Sequence, residues 1–192
     1  MKIYDISQEI FSCKVYPGDP KPEKQTLCTT EKGDLYNLTA FSMCAHNGTH
    51  IDVPFHFLGE GKTVEQMDLN TFVGDCYVAR HSSDVKAMEA HAILRKAEGA
   101  SRILIAGLAT VTAEAAEVFA NSGICLLGNE SQTVGPENAP MQVHKILLRK
   151  DVALLEGIVL TNVPEGQYFL SAAPLCLAGA DGAPCRAYLI EK

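Results

Sequence analysis

The stretch His46-Asn47-Gly48-Thr49-His50-Ile51-Asp52-Val53-Pro54-Phe55-His56 gathers three of the chain's six histidines and one aspartate into a short segment. His46, His50, Asp52 and His56 all fall on even positions. In an extended chain alternate side chains share a face, so this spacing predicts a row of imidazole and carboxylate groups on one side. Ile51, Val53, Phe55 and Phe57 are then expected to face the other way, into a core. Gly48 and Pro54 both oppose a continuous helix, which favours the extended reading. Neutral imidazole with carboxylate suits a divalent transition ion, zinc first, with manganese or iron also compatible. A hydrolytic metal site needs three protein ligands and an open position, and His46, His50 and Asp52 supply the three. His56 remains as an imidazole beside the ion, able to move a proton near neutral pH.

Two further residues stand out downstream. Glu156 interrupts the apolar run Val152-Ala153-Leu154-Leu155-Glu156-Gly157-Ile158-Val159-Leu160. A carboxylate buried in such a run is costly unless a cation or hydrogen-bond donors meet it; at a strand end it can instead face water. His144 lies on a predicted short helix, Val143 to Leu148, where it is either an ordinary exposed residue or a ligand. Taken with the upstream row, Glu156 and His144 could complete a second metal position, with Asp52 or Glu156 bridging two ions.

Elements that position these groups can be read from periodicity and punctuation. Strands are expected at Ile3 to Ile6, over residues 35 to 46 leading into the histidine row, and at Val73 to Arg80. Others are expected at Ile103 to Ala106, Ile124 to Leu127, Val152 to Leu155 and Gly157 to Leu160. Helical spacing covers residues 85 to 96, and Thr112 is placed to cap an Ala-rich helix that stops near Gly123. Tyr168 to Leu177 and Ala187 to Ile190 read as a hairpin across the turn Gly179-Ala180-Asp181-Gly182. Interspersed strands and helices predict a mixed α/β fold, with residues 1–192 as a single domain.

Composition narrows the partners. The net charge of −7 and the scattered basic residues argue against a nucleic-acid partner. The longest apolar stretches are strand-sized, so no membrane span is expected. Seven dispersed cysteines form no CxxC pair, and the N-terminal residues lack the apolar core of a signal peptide. A cytoplasmic protein with reduced thiols is the expectation.

At its histidine row the sequence resembles the cyclase-like metal hydrolases, the family that includes bacterial kynurenine formamidase and isatin hydrolase. The hallmark His-x-Gly-Thr-His-x-Asp-x-Pro-x-His is matched from His46 to His56. Tyr16-Pro17-Gly18-Asp19-Pro20 is similar to an early Trp-Pro-Gly-Asp segment, and His144 and Glu156 match a later His and Glu in spacing. Gly179-x-Asp181-Gly182-Ala183-Pro184-x-Arg186 is similar to a C-terminal Gly-x-Asp-Gly-Ser-Pro-x-Arg segment. The resemblance implies a swivelling β/β/α domain with a mixed sheet and flanking helices, assembled as a homodimer or larger oligomer. It implies one ion on His46, His50 and Asp52 and a second on Asp52, His144 and Glu156, with Glu156 touching both. It also implies His56 as proton donor and acceptor and position 16 as a substrate contact. The implied reaction is cleavage of an amide C–N bond by metal-activated water, in an N-formyl aryl amide such as N-formylkynurenine or in a cyclic amide. Zn2+ is the first expectation and Mn2+ the second, one or two ions per subunit.

The chain departs from the family pattern at three places. Tyr16 replaces the family's Trp. The run Glu130-Ser131-Gln132-Thr133-Val134-Gly135 lacks the second carboxylate of an Asp-Thr-x-Ser-x-Asp pattern, and the chain is shorter between its two motif regions. These departures touch substrate contacts, whereas every implied ligand is present. Competing readings are a lactone or ester hydrolase or cyclase of the same family, and a catalytically silent metal-binding protein. A spare imidazole at His56 counts against the last.

Overall fold

The computed structural model describes residues 1–191 and shows a mixed α/β architecture. Strands β1 (Ile3–Asp5), β2 (Glu23–Cys28), β3 (Leu38–Ser42), β4 (His50–Asp52) and β5 (Val73–Arg80) come first. Helix α1 (Ala87–Lys96), β6 (Arg102–Ala106), α2 (Ala113–Ala120), β7 (Leu126–Asn129), α3 (Met141–Leu148) and β8 (Ala153–Glu156) follow in strict alternation. The chain closes with β9 (Gly166–Ser171), β10 (Gly182–Pro184) and β11 (Tyr188–Glu191).

Nine strands form one sheet in the order β1-β11-β9-β5-β6-β7-β8-β4-β10, while β2 and β3 make a separate two-stranded ribbon. The four central strands β5 to β8 run parallel and are linked by the three helices, which pack side by side on one face. Strands buried on both faces read as continuous apolar runs, and β6 does so from Ile103 to Ala106, with all five of its residues, Arg102 included, buried. The pleat still sorts them: Ile103, Ile105, Leu127 and Leu154 meet the helices, whereas Leu104, Leu126 and Leu155 face a second core with Ile51, Val53 and Leu170.

That second core is enclosed because the sheet curls. Strand β10 ends at Pro184 on one edge of the sheet, and β11, next to the opposite edge, begins at Tyr188. Four residues of chain span at most about 14 Å, so the two ends must approach each other. The Ile6 carbonyl, just after β1, accepts at 2.9 Å from the N–H of Val159, just after β8.

Several sequence expectations hold closely. The strand at Val73–Arg80 is found with those bounds, and Thr112 caps α2 by accepting from Ala115 N–H at 3.3 Å. Others need correction. The run Gly157 to Leu160 is not a strand, because Gly157 turns the chain at φ +65. The C-terminal hairpin is only half correct: β9 pairs with β11, but the intervening turn feeds β10, which leaves to pair with β4. The segment 35–46 supplies β3 to the ribbon and then turns, without running on as a strand into the histidine row.

Candidate metal centre

The four groups of the histidine row meet, but not by sharing one extended strand. Only His50, Ile51 and Asp52 form β4. His46 sits on the preceding turn and His56 ends a 3-10 turn, Pro54–His56, whose proline presets the backbone for that conformation. Ile51 and Val53 are fully buried as expected, but Phe55 is 38% exposed. The apolar backing is therefore two residues long, and Phe57 packs on the helix side of the sheet.

Strand pairing brings in the distant carboxylate. Strand β4 runs antiparallel to β8 with His50 directly opposite Glu156, so the two side chains share a face. Asp52, two residues on from His50, projects to the same side. His144 arrives from the buried side of α3. Asp52, His50, His144 and Glu156 are each 2% exposed or less.

Hydrogen bonds set the ring orientations. His50 Nδ1 donates to the Gly48 carbonyl at 3.0 Å, leaving Nε2 3.3 Å from Asp52 Oδ1 and 3.6 Å from Glu156 Oε2. His144 Nδ1 donates to the Pro140 carbonyl at 2.9 Å, leaving Nε2 3.4 Å from Asp52 Oδ2 and 3.2 Å from Glu156 Oε1. Backbone carbonyls that hold one ring nitrogen so that the other points inward are the usual support of metal-binding imidazoles. His46 Nδ1 lies 2.8 Å from Asp52 Oδ1, and His56 Nε2 lies 3.9 Å from Asp52 Oδ2. The two oxygens of Asp52 thus face different sets of nitrogens.

Sequence reasoning gave no role to Asp181, which lies 2.9 Å from both His46 Nε2 and His56 Nδ1. It was visible only as part of a turn, Gly179-x-Asp181-Gly182. Its signal was the acidic residue within that motif, and the β10 to β4 pairing that delivers it is not readable from periodicity.

Electrostatics of the cluster are dominated by carboxylate and imidazole pairs. Burial alone would lower the pKa of His46, but the hydrogen bonds its ring donates to Asp181 and Asp52 outweigh that and raise it to about 11. His144 is raised to about 10, against its burial, by Asp52 and Glu156, and His50 is raised by Asp52 in the same way. Burial opposes ionisation of Asp52, yet His144, His46 and His50 hold its carboxyl well below the usual carboxylate range.

The donor chemistry fits a divalent ion. Ligating atoms of His46, Asp52 and His56 lie within 4.8 Å of one another, and so do those of His50, Asp52 and Glu156. Among the described residues no Lys or Arg lines the surrounding cavity of ≈ 250 Å³, so none of their side-chain cations other than imidazolium neutralises the two buried carboxylates there. Tyr16 lines this cavity, with Phe57, Gln132 and Thr133. The Tyr16 hydroxyl donates to the Glu137 carbonyl at 2.8 Å.

Comparison with known proteins bears on this site. Residues 4–106 match the family model Cyclase, described as “Putative cyclase”. The chain is 32% identical over 207 aligned residues to a kynurenine formamidase of Erythrobacter litoralis, covering 99% of this chain and 94% of that protein. A solved structure described as “Potential Metal-Dependent Hydrolase With Cyclase Activity” superposes with TM-score 0.83 at 28% identity, over 98% of this chain and 96% of that one. Isatin hydrolase A from Labrenzia aggregata shares the fold, with TM-score 0.85 at 17% identity, over 100% of this chain and 94% of that one.

Proposed function

The chain belongs to the Cyclase family, and from that premise we propose that it is a metal-dependent amidohydrolase for a small N-formyl aryl amide, with N-formylkynurenine the leading candidate. The observation that carries this reading is Asp52: a carboxylate 1% exposed, ringed by four imidazoles and facing Glu156 in a cavity that no described Lys or Arg lines. The kynurenine formamidase name of the relatives supports the choice of substrate.

His46, His50 and Asp52 would hold one ion, and Asp52, His144 and Glu156 a second, with Zn2+ favoured by the nitrogen-rich set and Mn2+ next. When bound, such ions polarise a carbonyl and make water a stronger acid. The chain's own residues do the rest. His56 lines the cavity and is less deeply buried than the ligand cluster. It takes the proton of the attacking water and returns it to the leaving nitrogen as the C–N bond breaks. Tyr16 lines the cavity as a substrate contact.

Residues 1–192 would act as one unit in a homodimer. Leu27, Leu38 and Phe41 on the β2–β3 ribbon are 50%, 42% and 59% exposed. An isolated two-stranded ribbon is marginal in water, so packing on a second copy would stabilise it. Seven free cysteines suit a reducing cytoplasm.

The test is metal content of protein purified without added ions, followed by hydrolysis of N-formylkynurenine by the native chain and by His56→Ala. Bound zinc or manganese, turnover by the native chain, and a loss of about 10²–10⁴-fold in the variant are expected. Protein that retains its metal and cleaves no formyl amide would sink the substrate proposal.

A further inference from the structure

We propose that Asp181 is a positioning residue serving two imidazoles at once: its carboxylate decides which nitrogen of His56 reaches the substrate and which nitrogen of His46 faces the ion. Asp181 Oδ2 is 2.9 Å from His56 Nδ1 and 2.9 Å from His46 Nε2. An ionised carboxylate only accepts, so both of those nitrogens carry hydrogen toward it. His56 therefore presents Nε2 to the cavity, on the side of Asp52 Oδ2. His46 presents Nδ1, 2.8 Å from Asp52 Oδ1. This assigns Nδ1 as the ligating atom of His46, whereas His50 and His144 point Nε2 inward.

The placement of Asp181 is built, not incidental. Val53 N–H donates to the Asp181 carbonyl at 3.2 Å, and Val64 N–H to the Ala180 carbonyl at 3.0 Å. Gly179 N–H donates to the Glu65 carboxylate at 3.0 Å. Two separate segments, one at Val53 and one at Val64 and Glu65, thus fix the turn that carries the carboxylate. The next residue must be small, because a Cβ on Gly182 would lie 2.6 Å from His46 Cε1. The His46 and His56 rings lie 4.2 Å apart between centroids, so rotation of either disturbs the other. A carboxylate that only capped an exposed turn would need none of this. Holding an imidazole in one tautomer and orientation is a general route by which an acid supports a base or a metal ligand.

The inference rests on the proposed roles of His56 as proton carrier and His46 as ligand, and its test is separable from them. Protein labelled with 15N-histidine is examined by long-range 1H–15N correlation in its zinc-loaded form, as the native chain, Asp181→Asn and Asp181→Ala. The native spectrum is expected to show His56 protonated at Nδ1 and His46 coordinated through Nδ1, and both patterns to be lost in Asp181→Ala. Kinetics on N-formylkynurenine are expected to show kcat falling by about 10²-fold or more with KM within about threefold. Zinc affinity is expected to fall about 10–100-fold. Asp181→Asn keeps the side-chain volume and so serves where Asp181→Ala does not fold. A native His56 protonated at Nε2, a native His46 bound through Nε2, or an unchanged kcat in either folded variant overturns the proposal. If the native chain cleaves no amide, the hydrolase reading fails, and the tautomer pattern alone decides the role of Asp181.

Discussion

Glu156 of β8 stands directly across the sheet from His50 of β4, and this one register pairing joins two segments more than a hundred residues apart into a single buried cluster. A slip of one residue would turn Glu156 to the opposite face. Glu156 also accepts from Val134 N–H at 2.7 Å, so one oxygen supports the backbone while both lie near imidazole nitrogens. Glu156→Gln is therefore expected to fold, to bind at least one metal ion fewer per subunit, and to lose about 10²-fold or more in kcat/KM. Metal content by mass spectrometry beside steady-state kinetics checks this. Full metal content at native activity would remove Glu156 from the ligand set.

Gly182 gives a purely steric prediction. A Cβ there would meet the Ile51 carbonyl at 2.7 Å as well as His46 at 2.6 Å. The β4–β10 pairing leaves the backbone no room to retreat. Gly182→Ala is expected to lower stability by about 1–3 kcal/mol through overpacking, and to weaken metal binding by displacing His46. Denaturant unfolding of the metal-free variant separates the two effects; an unchanged midpoint would show that the strand can shift.

Residue types and spacing made the core of this site legible. His46, His50, Asp52 and His56 announced themselves because ligand chemistry was concentrated in one segment, and they do converge. The reason given for the convergence was wrong in part: strand periodicity accounts for His50 and Asp52 alone, while turns fixed by Gly48 and Pro54 bring in the other two. In the sequence alone Gly48 and Pro54 argue only against helix. The central strands were readable because burial on both faces leaves apolar runs. Strand order was not, because the departure of β10 toward β4 depends on the curl of the whole sheet, and no local pattern records that curl. Asp181 was missed for the same reason.

Tyr16 stands at the cavity wall. Its hydroxyl ties the N-terminal segment to the Glu137 carbonyl, and Lys14 pairs with the Glu137 carboxylate at 3.3 Å beside it. Gln132 donates to the Lys14 carbonyl, adding a third link between the same two segments. Tyr16→Phe removes one link and keeps the ring. A rise in KM of about 2–10-fold with little change in kcat is expected, the worth of one ordinary hydrogen bond. A drop confined to kcat would instead place the hydroxyl at the reacting atoms.

Removal of the metal should leave protons in its place. In the metal-free protein the pKa of His46 lies at about 11 and that of His144 at about 10, both above the ordinary 6.5. Burial pulls each ring toward neutrality, but the adjoining carboxylates prevail. Because the folded values are raised, the stability these rings contribute is complete below about pH 6.5 and is lost as pH climbs through about 10 to 11. The melting temperature of the metal-free protein should therefore fall on going from pH 8 to pH 11. An ion requires a free ring nitrogen from each histidine, so filling both positions at pH 7 must expel protons, two or more per subunit. Zinc titration calorimetry in buffers of different ionisation enthalpy should show a buffer-dependent heat of that size, and affinity should weaken by at least about tenfold per pH unit of acidification. Heats independent of buffer would mean that the imidazoles are already neutral, and that Asp52 and Glu156 are balanced by something other than protonated histidine.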